Sequence, residues 1–498
     1  MKNSPKKKNL KTVEFGDFQT PPALATDIVA LLCRSGIAPA SIVEPTCGRG
    51  NMLLATCDGL QGFERALGVD ISEEYIKECE ARLGDRSYAD KVALQSESFF
   101  AADWQRLLAE MTEPLLVIGN PPWVTSAGIG VLGGTNLPDK ANFQNHTGLD
   151  AITGKSNFDI SEWMLIRALH WLEGRQGVLA MLVKTSVARK LLFHAWTNGL
   201  SISGSALYNI DASRHFNAAV DACLIVCAFV PSIRSCDCSV YESLGENAPS
   251  TVIGWRDGEI VADITRHDQW AHLRGESRYR WRSGVKHDCS RVMEMRRVPG
   301  GYVNGLGEAV DIEDTYLFPL LKTSDVAKKV ASDKRVMLVT QRYTGEDTTP
   351  LRDVAPKTWA YLQRHGDLLD ARGSSIYRNR ARFSVFGIGD YTFSPWKVAT
   401  SGFYKRLSFM VIGPVGDKPV VLDDASYFIG CQSKEEAELI ASLLNSHPAQ
   451  EFLKAYIFWD AKRPITVDLL RRLDFMKLAC ELGQEEALQS FLEANPCH

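Results

Sequence analysis

Val117-Ile118-Gly119-Asn120-Pro121-Pro122-Trp123 is an apolar run that reads as a buried strand and breaks into a polar elbow with an aromatic ring behind it. Two consecutive prolines stiffen the backbone and remove two N–H donors, so the Asn120 carboxamide oxygen and the Pro121 carbonyl are both acceptors open to one amino group. Trp123 supplies a stacking surface beside them. A ring-conjugated amine is a poor nucleophile because its lone pair is delocalised. Hydrogen bonds from both of its protons to two fixed acceptors pull the nitrogen toward sp³ and localise that pair. The tripeptide alone is equally at home in a plain turn, so its surroundings decide the reading.

Upstream, Ser41-Ile42-Val43-Glu44-Pro45-Thr46-Cys47-Gly48-Arg49-Gly50-Asn51-Met52-Leu53-Leu54 reads as a short strand, a turn with two glycines and a helix start. The glycines let backbone approach a ligand closely. Leu67-Gly68-Val69-Asp70-Ile71 is a second strand ending in an acid, where doubly wound sheets bind a ribose diol. Gly-x-Gly-x-x-Gly is absent, and Glu44 at the strand end would repel a pyrophosphate, so a cationic amino-acid cofactor fits better than a dinucleotide. A third element, Ser96-Glu97-Ser98-Phe99-Phe100, precedes Asp103-Trp104. Phe18-Gln19-Thr20-Pro21-Pro22 opens a helix with proline in its first turn and Gly36 as its C-terminal stop.

In this order the motifs resemble those of the gamma-class N6-adenine DNA methyltransferases of bacterial restriction–modification systems. The resemblance implies an α/β fold: a class I, Rossmann-like S-adenosylmethionine methyltransferase domain over residues 1–255, then an α+β target-recognition domain over 256–498. It implies an S-adenosylmethionine pocket formed by Thr20, Glu44, Thr46, Cys47, Gly48, Asp70, Ile71, Ser98, Phe99 and Asn120. It makes Asn120 and Pro121 the acceptors of the adenine amine, with Trp123 and Phe216 stacking the base once it leaves the duplex. Phe216, within Arg214-His215-Phe216-Asn217, has an ordinary core position as its competing reading. Two departures stand out. Trp123 replaces the family's tyrosine or phenylalanine, and Ser98-Phe99 stands where the family has Asp-Phe, with Asp103 as the alternative acid.

The 498 residues carry a net charge of −4, with 45% hydrophobic and 23% charged residues, a composition for two soluble domains with substantial cores. The polar, glycine-rich stretch to about Ser156 reads as a lid and includes Lys155. A helix is expected over 159–172 and strands over 177–183, 204–209 and 219–230. Between Arg266 and Met410 there are 25 Lys+Arg against 16 Asp+Glu, a basic excess suited to double-stranded DNA. Arg378, Arg380, Arg382 and Lys397, interleaved with aromatics, join Lys155, Lys462, Arg463 and Pro464 as the expected DNA-binding set. Strands are expected over 336–341, 396–400, 408–413 and 419–422, and Ser433 starts a helix ending near Asn445. The boundary is expected near 250–260, after Asn247-Ala248-Pro249-Ser250.

The twelve cysteines lack paired zinc-ligand spacing, so no metal is expected, and reduced thiols point to a bacterial cytoplasm. No membrane span or secretory signal is visible. No nuclease module is visible either, which leaves a restriction nuclease or another defence-system subunit on a separate chain as the expected protein partner. An RNA base methyltransferase, a protein-glutamine methyltransferase and a non-catalytic DNA-binding subunit of a defence complex are the competing readings; the large C-terminal half disfavours the second, and intact Asn120 and Glu44 the third.

Overall fold

A computed structural model describes residues 18–84, 86–124, 159–330 and 334–494. The expected lid and Lys155 lie outside the described residues. The chain divides into two compact units, Met1–Ile264 and Thr265–His498.

The first unit holds strands β1 (Ser41–Glu44), β2 (Arg65–Asp70), β3 (Val92–Ser96), β4 (Leu115–Gly119), β5 (Gly177–Lys184), β6 (Ile202–Ile210), β7 (Ala222–Phe229), β8 (Asp237–Tyr241), β9 (Thr251–Arg256) and β10 (Glu259–Val261). They form one sheet in the order β10-β9-β8-β6-β7-β5-β4-β1-β2-β3. From β3 across to β5 all neighbours are parallel, and β7 runs antiparallel to both β5 and β6. This is the expected α/β, Rossmann-like arrangement. Its central strands β1 and β4 are buried along their whole length, which explains why β4 reads as an unbroken apolar run and β1 has no exposed face to alternate with.

Helices α1 (Pro22–Arg34), α2 (Asn51–Gly59), α3 (Glu73–Leu83), α4 (Trp104–Ala109), α5 (Ile160–Leu172), α6 (Thr185–Thr197) and α7 (Ala212–Phe216) accompany the sheet. The apolar side of α1 (Leu24, Ile28, Leu32) packs with Ile42, Leu53 and Ile118 in one core cluster. Chain order along the sheet reverses between β1 and β4, and ligands of such sheets bind beyond the strand ends at that reversal.

Asn247-Ala248-Pro249-Ser250 lies within the connection from β8 to β9, and the β9–β10 hairpin carries the first sheet past residue 255. In the second unit, β11 (Arg282–Ser283), β12 (Glu294–Val298), β13 (Gly301–Asn304), β14 (Ala309–Val310), β15 (Leu317–Leu321), β16 (Arg335–Leu338), β17 (Trp396–Ser401), β18 (Met410–Ile412), β19 (Val421–Leu422) and β20 (Ser426–Cys431) build two sheets. Their orders are β11-β20-β17-β18 and β14-β13-β12-β16-β15-β19. Helix α8 (Lys434–Asn445) begins as expected, with the Ser433 hydroxyl accepting from the Glu436 N–H at 3.1 Å.

Candidate active site

Glu44 ends β1, and Asn120 follows β4 on the neighbouring strand. Gly119 closes β4 against the Glu44 side chain, where even a Cβ would make only ordinary contact, 3.4 Å from Glu44 Cγ. The turn after β1 needs its glycines for conformation as well as space. Gly48 and Gly50 have φ of 52° and 77°, and a Cβ on Gly48 would meet Gln19 Oε1 at 2.6 Å. The turn is braced from two sides. Gly48 N–H and Ser72 N–H donate to the two oxygens of Asp70 at 2.8 and 2.9 Å. Arg49 N–H donates to Gln19 Oε1 at 3.2 Å, and Asn51 Nδ2 to the Thr20 carbonyl at 2.8 Å.

These elements enclose a cavity of about 320 Å³, lined by nine of the ten expected cofactor residues: Thr20, Glu44, Thr46, Cys47, Gly48, Asp70, Ile71, Phe99 and Asn120. Ser98 is the exception. Its hydroxyl accepts from Phe100 N–H at 3.2 Å and its carbonyl accepts from Ala101 and Ala102, so it forms the turn rather than the cavity wall. Asp103, the alternative, caps α4 by accepting from Arg106 N–H. Sequence reasoning missed Gln19, Ser72, Glu74, Tyr75 and Met164, which also line the cavity. The signal for three of them was present: Ser72 is an N-cap two residues after a strand-end acid, which puts the first turn of α3 at the ligand.

Glu44 is only 2% exposed, and its Oε2 has no hydrogen-bond partner. Burial pushes its carboxyl well above the ordinary carboxylate range; a Leu53 backbone hydrogen bond opposes the shift and the Asp70 charge adds to it. Thr46 Oγ1 and Asn120 Oδ1 are likewise buried without partners. The Asn120 amide is oriented by its other end, because Nδ2 donates to the Phe18 carbonyl at 2.7 Å and leaves Oδ1 unused. Each unsatisfied buried acceptor costs about 1–3 kcal/mol. Three around one cavity suit a donor-rich ligand with a positive group near Glu44.

The aromatic candidates are arranged differently. Trp123 and Phe216 are 5% and 9% exposed, with ring centroids 5.0 Å apart at 63°. Phe18 packs 5.7 Å from Trp123 and edge-on to Phe216 at 6.2 Å. The Trp123 indole N–H donates to the Leu182 carbonyl at 3.3 Å. The structure therefore brings the expected stacking pair together edge to face, and not in parallel across a gap. Pro121 is buried, and Pro122 faces the cavity.

No family model matches the sequence. Over 472 residues the chain is 44% identical to the type II methyltransferase M.NspV of Nostoc sp., an alignment covering 94% of this chain and 97% of that protein. The chain belongs to the type II methyltransferase family. Among solved structures, the type IIL restriction–modification enzyme MmeI, determined in complex with DNA, aligns with a TM-score of 0.54 at 14% identity. That alignment covers 98% of this methyltransferase and 70% of MmeI, a likeness of fold that takes in both units.

The cations expected to contact DNA in the methyltransferase's second unit fall into separate groups. Arg378, Arg380, Lys462 and Arg463 are exposed, with the Arg463 guanidinium 4.6 Å from the Phe403 ring centre. Arg382 is turned onto Asp370, donating from Nε and Nη2 at 3.0 and 2.8 Å. Pro464 is buried. Lys397 corrects the expectation of a phosphate contact. At 1% exposure near the start of β17, its ammonium donates to the Ser394 carbonyl at 2.6 Å, and burial lowers its pKa to about 7. Strand β17 is buried on both faces from Lys397 to Ser401, which a count of cations cannot reveal.

Proposed function

We propose that this type II methyltransferase is a site-specific DNA methyltransferase that transfers the methyl group of S-adenosylmethionine to the N6 amine of an adenine turned out of duplex DNA, in a restriction–modification or phage-defence setting. The observation that carries the reading is Asn120 Oδ1: buried, without a partner, and fixed in direction by the Phe18 carbonyl at the end of β4. An amide oxygen held this way is an acceptor waiting for an N–H.

The cavity residues fit the cofactor. Glu44 offers a carboxylate oxygen without a partner to an ammonium group, Thr46 a hydroxyl, and Asp70 an acid at the strand end where ribose hydroxyls are held. When bound, S-adenosylmethionine supplies a methyl group on a sulfonium. Asn120 Oδ1 and the Pro121 carbonyl take the two amine protons as hydrogen bonds and so localise the nitrogen lone pair as it attacks. No strong base is required before attack, and the surplus proton leaves to solvent afterwards. Base extrusion is needed because a duplex buries the amine in its stack. Target recognition is assigned to the second unit, with a nuclease or another defence subunit on a separate chain as the protein partner.

Long-read sequencing of DNA from a host expressing the chain tests the whole reading. The expected result is one short motif carrying modified adenine, absent when Asn120→Ala is expressed instead. Modified cytosine, or no modified base at all, would overturn it.

A further inference from the structure

Lys184 ends β5, the strand beside β4, and occupies the N-cap position of α6. A cation is unfavourable at a helix N-terminus, and this one makes no capping bond with its side chain. Helix stability therefore does not explain it. Its ammonium donates to the Trp123 carbonyl at 3.1 Å and to Asp159 Oδ2 at 2.5 Å. The site is shielded, with side-chain exposures of 22% for Lys184 and 9% for Asp159. Asp159 is itself fixed, because its Oδ1 accepts from the Ser161 N–H at 3.2 Å and the Ser161 hydroxyl at 2.5 Å. A backbone bond from Ile160 N–H to the Val124 carbonyl, 2.9 Å, runs alongside.

We infer that Lys184 is the positioning residue of the amine-accepting elbow: through the Trp123 carbonyl it fixes the exit of Asn120-Pro121-Pro122-Trp123, and with it the direction of the two acceptors. This rests on the reading of Asn120 and Pro121 given above. The two prolines have φ fixed, which leaves fewer torsions between Asn120 and the Trp123 carbonyl to absorb a shift, so part of it passes back to the two acceptors. Asn120 is held at its other side by the Phe18 carbonyl, so the elbow is fixed from both ends. Misplacing a reacting group by about 1 Å can cost on the order of 100-fold in rate.

The test is single-turnover methyl transfer by the full chain, with cofactor and DNA affinities measured separately, for Lys184→Met, Lys184→Arg and Asp159→Asn. Lys184→Met is expected to slow transfer about tenfold or more while cofactor affinity stays within about threefold. Lys184→Arg should recover most of the rate, because a guanidinium can donate to both oxygens. Asp159→Asn should slow transfer less than Lys184→Met, since the bond to the Trp123 carbonyl survives. The inference falls if Lys184→Met keeps its rate within about twofold of the unaltered chain, if the arginine variant is no better than the methionine one, or if cofactor affinity falls in step with rate. Should Lys184→Met not fold, an Asp159→Asn rate equal to that of the unaltered chain overturns it, and a slower rate at unchanged cofactor affinity supports it. Failure of the unaltered chain to methylate adenine is a different outcome: it sinks the proposed function.

Discussion

The cavity of the first unit and the basic–aromatic stretch of the second were marked by the same kind of sequence evidence, polar groups among apolar ones, yet their polar groups end in opposite states. Around the cavity, Glu44 Oε2, Thr46 Oγ1 and Asn120 Oδ1 are buried with nothing to bond. In the second unit several of the cations are spent on their own fold. Lys322 pairs with Glu294, Arg335 with Asp325, Lys357 with Asp311, Arg382 with Asp370, and Lys397 is enclosed. These pairs lie within 266–410 and leave its net basic excess unchanged, but they and the enclosed Lys397 decide which cations are left to face a polyanion. Unmet demand in a cavity is the sharper sign of a ligand, because the fold tolerates a free-energy penalty there that packing alone would remove.

If that contrast is right, the largest loss belongs to Asn120→Ala. Methyl transfer should fall by about 100-fold or more, as when one preorganised hydrogen-bonding group is removed from a transition state. DNA affinity should stay within about threefold, and cofactor affinity should fall by much less than turnover, Asn120 being one of many residues that line the cavity. Turnover within about threefold of the unaltered chain would show that the unsatisfied oxygen has no catalytic use.

Glu44→Gln comes next and tests the sign of an electrostatic argument. Because the native carboxyl is raised above its ordinary 4.5, the folded apoprotein retains a proton that the unfolded chain releases. Its contribution to stability is full below that value and is lost as pH rises through the native pKa. Cofactor affinity should run the other way: a cationic group needs the carboxylate, so affinity grows as pH rises through the same range. The glutamine variant should flatten both dependences and bind the cofactor about tenfold more weakly at neutral pH, having lost a charge-assisted hydrogen bond. Calorimetric titrations and thermal melts at several pH values check the pair. Parallel pH profiles in both proteins would remove Glu44 from the cofactor site.

Arg380 and Arg382 sharpen the comparison within the second unit. Arg380 is exposed, whereas Arg382 is held by Asp370. Arg380→Ala should either relax one position of the motif at about 1–3 kcal/mol or lower the salt slope of binding by about one. Arg382→Ala should leave motif and slope alone and change stability by no more than about 1 kcal/mol, since the pair is half exposed. Methylated-motif maps combined with binding at several salt concentrations separate them. The reverse ranking would mean that DNA breaks the Arg382–Asp370 pair.

The legible part of the molecule was what repeats locally. Strand β4, apolar throughout, the short β1 with its apolar centre, the two-glycine turn with its positive φ values, the acid ending β2 and the capped start of α8 all follow from a few consecutive residues. Strands β8 and β9 were missed because they lie toward the sheet edge with mostly half-buried residues, leaving no clear alternation, and a proline turn between them imitates a linker. Strands β11 and β14 are two residues long, too short to carry a period, whereas the equally short β19 lies within the expected 419–422. At the site, residue types were readable and their partners were not. Ser98 closes a turn, Asp103 caps a helix, and Trp123 meets Phe216 edge-on, each through contacts set in three dimensions.

The smallest functional effect belongs to Lys397, the buried counterpart of Glu44 with a bonding partner and no cavity. Its pKa falls from 10.5 to about 7 through burial, so between those values the unfolded chain holds a proton that the native state has released. Native stability should therefore rise with pH across that window, and Lys397→Met, close in volume and uncharged, should abolish the rise. Below about pH 7 the methionine variant should melt higher, since the native lysine must then carry its charge within β17. DNA affinity and its salt slope should not change, because the ammonium is spent on the Ser394 carbonyl. A slope lower by about one in the variant would place Lys397 on a phosphate. That result would mean β17 turns this residue outward on binding, and that the second unit, unlike the cavity of the first, is not preformed.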